Sequence, residues 1–321
     1  AGGTDVLIQT REGRHAGCHL VSLHGLSELS AIREEEDGTL VIGSLSQLSD
    51  IRLLRSDGRE ERLFGWETDA ASPAYEAFLR AFLRALRAHL DETGRLARCY
   101  FHLSDEPSLS ALDSYARAAA LLREELEGCS IIDALSDYAF YEKGLLQRPV
   151  PSIDHLAPFL DHGVRPLWTY TCCAQSRDVS NRFMAMPSCR TRILGTQLYL
   201  YRIEGFLQWG YNFWYSQYSR HAVDPYRETG AEDAFPAGDA YLVYPGPDGQ
   251  PVPSIRQFVF FEGLQDLRAL SLLETALSRE ETAALVEAEE PVTLTAYPCT
   301  AEKMLDLRRR INDKIEELFG A

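Results

Sequence analysis

The sequence predicts an α/β protein: a (β/α)8-barrel-like domain incomplete at its N-terminal strands, preceded by a short α+β fragment. Three observations carry this. From about residue 61 onward, short apolar runs alternate with amphipathic stretches, the pattern of a parallel sheet covered by helices. About five such strands can be counted where a full barrel has eight. Residues 1–60 contain no Phe, Tyr or Trp although the chain is 10% aromatic, so the composition breaks near residue 60 and divides it into 1–60 and 61–321.

The first piece reads as a few strands and one short helix. In the second, Ser72 followed by Pro73 is an N-cap with proline at the first helical position. Tyr75, Phe78, Leu79, Phe82, Leu83, Leu86 and Leu90 follow at helical spacing, and Gly94 ends the run. A strand over 98–103 and a helix over 108–127, closed by Gly128, come next. Further strands are expected at Ser130–Ala134, then after a long connection at 164–170, 205–213 and 240–244. The helix Ile255–Leu273 follows, then one opened by the capping box Ser278-x-x-Glu281. Met304, Leu307, Ile311, Ile315 and Leu318 mark a last amphipathic helix.

The net charge of −16 leaves no basic stripe to neutralise phosphates, so no nucleic-acid partner is expected. No segment approaches the ~18 apolar residues of a membrane span, so none is expected in a bilayer. The seven cysteines are scattered, with vicinal Cys172-Cys173 too strained to bridge. All seven read as free thiols of a reducing, cytoplasmic compartment; because the chain opens inside a glycine loop, export is not excluded. The eight histidines form no H-x-x-x-H or H-E-x-x-H, and no metal is expected.

The richest stretch is Cys-Tyr-Phe-His-Leu-Ser-Asp-Glu-Pro, residues 99–107. Two acids directly after a buried strand are costly unless hydrated, paired or used. In a parallel barrel that position is the rim where active sites form. Pro107 removes a backbone donor and favours an extended Glu106. Neighbours in a regular strand face opposite sides, so Asp105 and Glu106 can share a pocket only if the strand twists or breaks. The alternative is that Asp105 caps the helix starting near Ser108. His102 shares strand parity with Glu106 and is either a pocket wall or a satisfied structural histidine.

Other strands also end in polar or aromatic residues: Asp133 and Asp137; Trp168, Thr169 and Tyr170; Gln208, Trp209, Tyr211, Asn212 and Trp214. Rings beside amides and carboxylates suit sugars, whose C–H faces pack on rings while hydroxyls need hydrogen bonds. Core packing is the other reading of Trp209 and Trp214. His155 and His162 are expected in solvent, and Arg256 and Glu262 as a structural ion pair.

From about Leu63 to the end the chain resembles a bacterial domain-of-unknown-function family related to glycoside hydrolase family 123. The resemblance rests on FGWETDAASPAY, YFHLSDEPS, SNRFMAMPS, FLQWGYNFWY, GDAYLVYPGPDGQPVPSIR and FEGLQDLRAL. It implies a glycosidase hydrolysing O-glycosyl bonds, an N-acetyl-β-galactosaminidase-like enzyme on a (β/α)8 barrel. It further implies retention through attack by the substrate's own acetamido group, with Glu106 as general acid/base and Asp105 orienting that group. The substrate would be a glycan or amino-sugar glycoside, and the substrate-binding candidates are Trp66, His102, Asp133, Trp168, Tyr170, Trp209, Tyr211, Asn212 and Trp214. Relatives have an N-terminal β-sandwich where this chain has its aromatic-free piece.

That piece, AGGTDVLIQTREGR followed by a stretch ending near Asp50, resembles the FAD-binding domain of molybdopterin dehydrogenases. The resemblance implies flavin contacts at Gly2, Gly3, Thr4 and Asp5, and a second contact around Gly43. So short a fragment cannot enclose FAD, and no cofactor is expected. Two other readings stay open at this level: a non-catalytic carbohydrate-binding or scaffold protein, and a remnant flavin module.

Overall fold

The computed structural model describes residues 72–320, together with Phe64, Thr68, Asp69 and the backbone of four short strands between residues 32 and 62. It divides into two compact units, Ala1–Phe82 and Leu83–Ala321. In the first, β1 (Ile32–Glu34) pairs antiparallel with β2 (Leu40–Ile42), and β3 (Arg52–Leu54) with β4 (Glu60–Arg62). Helix α1 (Pro73–Glu92) begins there, with Ser72 Oγ accepting from the Tyr75 N–H as the N-cap pattern requires.

The second unit is mixed α/β. Strands β5 (Tyr100–His102), β6 (Ser130–Ala134) and β7 (Arg148–Val150) form a parallel sheet in chain order. β8 (Trp168–Tyr170) and β9 (Gly205–Leu207) form a parallel pair, and one parallel bridge between Ser152 and Tyr170 links the two sets. The connections carry α2 (Leu112–Glu125), α3 (Tyr138–Glu142), α4 (Ala157–Asp161), α5 (Cys189–Arg192) and α6 (Leu194–Leu200). A hairpin follows, β10 (Val243–Pro245) with β11 (Pro251–Pro253), and then α7 (Ile255–Leu273), α8 (Arg279–Val286) and α9 (Ala301–Phe319). Among the described residues these sheets do not close into an eight-stranded barrel.

Two expectations need correction. β7 falls inside what reads as a long connection, because Pro149 and Pro151 are loop signals. The run at 240–244 yields β10, an antiparallel hairpin strand, because Pro-Asp-Gly at 247–249 turns the chain back.

Alternation along the strands separates two cores. Ile132, Ala134, Val150 and Tyr170 pack on one face with Trp168 and Leu207. Tyr115, Leu135, Phe140, Phe159 and Leu167 fill the space under the helices. A third core joins α7, α8 and α9 through Leu270, Leu273, Val286, Met304, Leu307 and Ile311. Buried Asp266 ties three helices at once, accepting from Arg192 Nε at 2.7 Å and Nη2 at 3.1 Å and from Arg308 Nη1 at 2.8 Å. The six described cysteines are free, and the buried Cys189 thiol lies 2.7 Å from that of Cys299; Cys18 lies outside the described residues.

Helices α6 and α7 meet glycine to glycine: a Cβ on Gly195 would stand 1.7 Å from the Gly263 carbonyl oxygen. Backbone cannot retreat as a side chain can, so Gly195→Ala should force the helices apart and cost about 3 kcal/mol. Chemical denaturation should show the midpoint falling with an unchanged slope.

Candidate active site

The C-terminal ends of the parallel strands converge on a cleft of about 550 Å³ whose walls include Glu106, Ser136, Ser152, His155, Tyr170 and Gln175. Glu106 reaches it through an irregularity in the ladder. The Leu103 N–H donates to the Ile132 carbonyl at 3.2 Å, and a regular parallel ladder would next pair residue 105 with Ala134. The Glu106 N–H takes that place instead, at 2.8 Å, so one extra residue is accommodated before it. Such an insertion re-aims the side chains that follow. Glu106 takes φ +46°, not the extended conformation expected before proline. A non-glycine residue in this region carries a local cost of ~1–3 kcal/mol, which surrounding structure must hold in place.

The insertion separates the two acids. One Glu106 carboxylate oxygen accepts a hydrogen bond from the Tyr170 hydroxyl, and the Cys172 thiol lies 3.7 Å from the same oxygen. Burial, then Glu106, raises the Tyr170 pKa, keeping the phenol a donor. Burial pushes the Cys172 thiol up to about 12. Asp105 is exposed, is not among the cleft walls, and lies within electrostatic reach of His102 and Asp133. It caps no helix: Ser108 occupies the N-cap of the turn that follows. Parity does not tie His102 to Glu106 across the inserted residue. His102 Nε2 instead lies 3.3 Å from the Ala134 backbone nitrogen and 3.4 Å from Asp133 Oδ1. Burial lowers its pKa, with Asp105 opposing.

The other expected sugar contacts fare differently. Tyr170 lines the cleft. Trp168, two residues earlier on the same strand face, packs over Gly205, where a Cβ would come within 2.3 Å of the indole. It also meets Tyr100 at 4.9 Å between centroids, with the Arg148 guanidinium over both rings. Asp133 is corrected: it is 0% exposed and points under the helices towards Tyr115, because strand alternation puts it opposite Ile132 and Ala134. Trp209 packs against Phe213 and Phe235 with its indole N–H buried towards Asp239, and the Trp214 indole donates to the Val243 carbonyl at 2.9 Å. Tyr211 and Asn212 pair through their backbones with Leu242 and Tyr241. These four residues brace the β9–β10 connection and are not cleft walls. Trp66 and the flavin-contact candidates Gly2, Gly3, Thr4, Asp5 and Gly43 lie outside the described residues.

Behind the cleft sits a buried charge pair. Arg182 is 2% and Asp239 0% exposed, with Nη2 3.1 Å from the carboxylate but off the line of a hydrogen bond. Burial lifts Asp239 to about 6 against the pull of Arg182, and lowers Arg182 to about 10. Among the described residues Arg256 makes no ion pair with Glu262; it donates to the carbonyls of Arg182, Gly238 and Tyr241, while Glu262 lies 3.9 Å from Arg192. His155 is 58% exposed, as expected, and is at the same time a cleft wall. Ser136, Ser152, His155 and Gln175, which follow β6, β7 and β8, carry no sequence signal as cleft walls; strand order brings them together, and Pro149 hides β7.

Residues 42–273 match the family model described as glycoside hydrolase 123, catalytic domain. The chain belongs to this family. A family 123 glycoside hydrolase from Clostridium perfringens, studied for glycolipid glycan hydrolysis, superposes with a TM-score of 0.60 at 16% identity, over 90% of this chain and 58% of that one. At that identity the likeness shows the fold, and the chain spans under two thirds of that enzyme. The family 123 match begins at residue 42, within the aromatic-free piece. Over 51 residues the chain is also 45% identical to the putative xanthine dehydrogenase FAD-binding subunit XdhB of Escherichia coli K12, and equally to the xanthine dehydrogenase FAD-binding subunit of E. coli O157:H7. That stretch is 16% of this chain and 18% of either subunit.

Asp133 gives this site a measurable signature. Burial lifts its pKa to about 7, with Asp105 adding to the rise and Tyr115, Ser104 and Ala134 opposing it. The unfolded chain ionises near the ordinary carboxylate value while the folded chain stays protonated, so stability is lost as pH climbs from about 4 to 7, at up to ~1.4 kcal/mol per pH unit. Asp133→Asn should gain on the native chain across that window in pH-resolved denaturation, and a constant difference would refute this.

Proposed function

We propose that the chain is a retaining β-N-acetylhexosaminidase, N-acetyl-β-galactosaminidase-like, working by substrate assistance through Asp105 and Glu106. Family 123 membership supports glycoside hydrolysis, and five parallel strands in chain order fit part of a (β/α)8 barrel. The observation that carries the reading is Glu106 on the cleft wall with one oxygen held by Tyr170.

Glu106 donates a proton to the glycosidic oxygen as that bond breaks. Asp105 accepts the acetamido N–H, making the amide oxygen a better nucleophile towards the anomeric carbon. The departing alcohol takes the Glu106 proton, and a cyclic oxazolinium forms. Glu106 then draws a proton from water, which opens the ring and restores both the acetamido group and the configuration. Two carboxylates on opposite faces of the sugar, ~5 Å apart for a covalent intermediate and more for inversion, are not needed when the substrate supplies the nucleophile. Adjacent acids re-aimed by one inserted residue suit that division of labour. The likeness to FAD-binding subunits supports no cofactor proposal, since the chain spans 18% of their length.

Release of chromophore from an aryl N-acetyl-β-galactosaminide tests the reading. Glu106→Gln should lower kcat by roughly 10³-fold. Equal hydrolysis of an aryl β-galactoside lacking the acetamido group would overturn substrate assistance.

A further inference from the structure

Two cysteines far apart in sequence meet where the third core opens to solvent. Cys189, the first residue of α5, is buried in the same core as Leu270 and Met304. Cys299 is exposed and directly precedes Thr300, the N-cap of α9. Their sulfurs lie 2.7 Å apart although 110 positions separate them along the chain. A disulfide holds its sulfurs ~2.05 Å apart, so bonding asks each to move by a fraction of an ångström. Both cysteines line a cleft of about 470 Å³ with Pro187, Arg192, Val259 and Leu305, through which a small reagent can reach them. Burial, then Cys299, raises the Cys189 pKa, so a reagent in solution reacts with the exposed Cys299 first. The Cys299 contribution to that rise is gone once Cys299 is held in a mixed disulfide. The buried sulfur then faces an electrophilic sulfur already in contact with it.

We propose that Cys189 and Cys299 are a reversible thiol–disulfide clasp, closed by a small-molecule disulfide such as oxidised glutathione, that fixes the start of α9 to the start of α5. The Cys299 thiolate attacks one sulfur of the reagent and expels the other half as a thiolate, leaving a mixed disulfide. Cys189 Sγ then attacks Cys299 Sγ, and the second half leaves as a thiolate. The two protons given up by the cysteines pass through solvent to the two departing thiolates. Two electrons move from the cysteine pair to the reagent, so one disulfide is made and one is reduced to two thiols. Excess reducing thiol runs both exchanges backwards. The bond acts on the unfolded chain, where closing a loop of 110 residues removes much of its freedom. In the folded chain it reaches the segment behind the active-site cleft, because the Thr191 hydroxyl of α5 donates to the Asn181 carbonyl at 3.1 Å, next to Arg182.

The folded full chain is incubated with oxidised glutathione, its remaining thiols are alkylated, and it is digested without reduction for mass spectrometry. A peptide pair joined through Cys189 and Cys299 is expected, with two fewer free thiols per chain. The melting temperature should rise by roughly 5–15 °C and fall back when dithiothreitol is added. Cys299→Ser, at an exposed position, should fold as the native chain does, form no such pair and show no rise under the same treatment. Cys189→Ala should instead retain glutathione on Cys299. Glutathione that stays on Cys299 of the native chain while Cys189 is alkylated overturns the proposal, as does a bond confined to Cys172 and Cys173. A Cys189–Cys299 bond that leaves the melting temperature unchanged overturns the clasp. Neither readout requires that the chain cleave a glycoside.

Discussion

The loops that form the site depend on a charge that cannot reach water. Arg182 donates to the Thr171 carbonyl and hydroxyl at 3.3 and 3.2 Å and to the Asp239 carbonyl at 2.9 Å. Thr171 directly follows Tyr170, and Asp239 closes the segment that runs from β9 towards β10. One guanidinium therefore sets the distance between the end of β8 and the β9–β10 connection. A buried ion pair is weak evidence for stability, but removing either partner strands the other at a cost of roughly 3–5 kcal/mol. Arg256 reinforces the arrangement, using its planar fork to gather three carbonyls from the same segments. These loops are held by cations on backbone oxygens where regular strands are only three residues long.

Glu106 shows what that rigidity permits. Its left-handed backbone and the residue inserted before it are locally unfavourable, and both survive because β6 supplies the Ala134 carbonyl and β8 supplies the Tyr170 hydroxyl. In a regular strand, adjacent acids would have fallen on opposite faces, one against the sheet core and one under the helices. The insertion keeps both near solvent and gives them different surroundings. Asp133 illustrates the alternative fate: one strand over and in regular register, a carboxyl is sealed under helix α2 and pushed towards its neutral form.

Much of this was legible in the sequence. The helix from Pro73 is marked by its cap and apolar spacing, the last helix by apolar spacing, Ile255–Leu273 has the expected bounds, and Ser278 with Glu281 forms the expected capping box. The sequence places β6 at Ser130–Ala134, where it is found, and marks the acid pair at the end of β5. What was not legible depended on partners distant in sequence. Pro149 and Pro151 argue against a strand locally, yet β7 forms because β6 pairs with it and the chain beyond it bridges to β8. Trp209 and Trp214 have the composition of a sugar site, but Phe235 and the Val243 carbonyl claim them. His155 has no signal of its own; its place comes from its sequence neighbour Asp154, whose carboxylate is held by Gln175 from beyond β8.

The packing of Trp168 on Gly205 has an optical consequence. Its indole lies against the Tyr100 ring and an arginine side chain, on the same strand face as the tyrosine that touches Glu106. Three of the four tryptophans, Trp168, Trp209 and Trp214, stand on or just beyond β8 and β9, each in a different polar setting. The chain therefore carries a native emission probe, and a sugar that shifts Tyr170 or the strand beneath it would change the intrinsic fluorescence with no label attached.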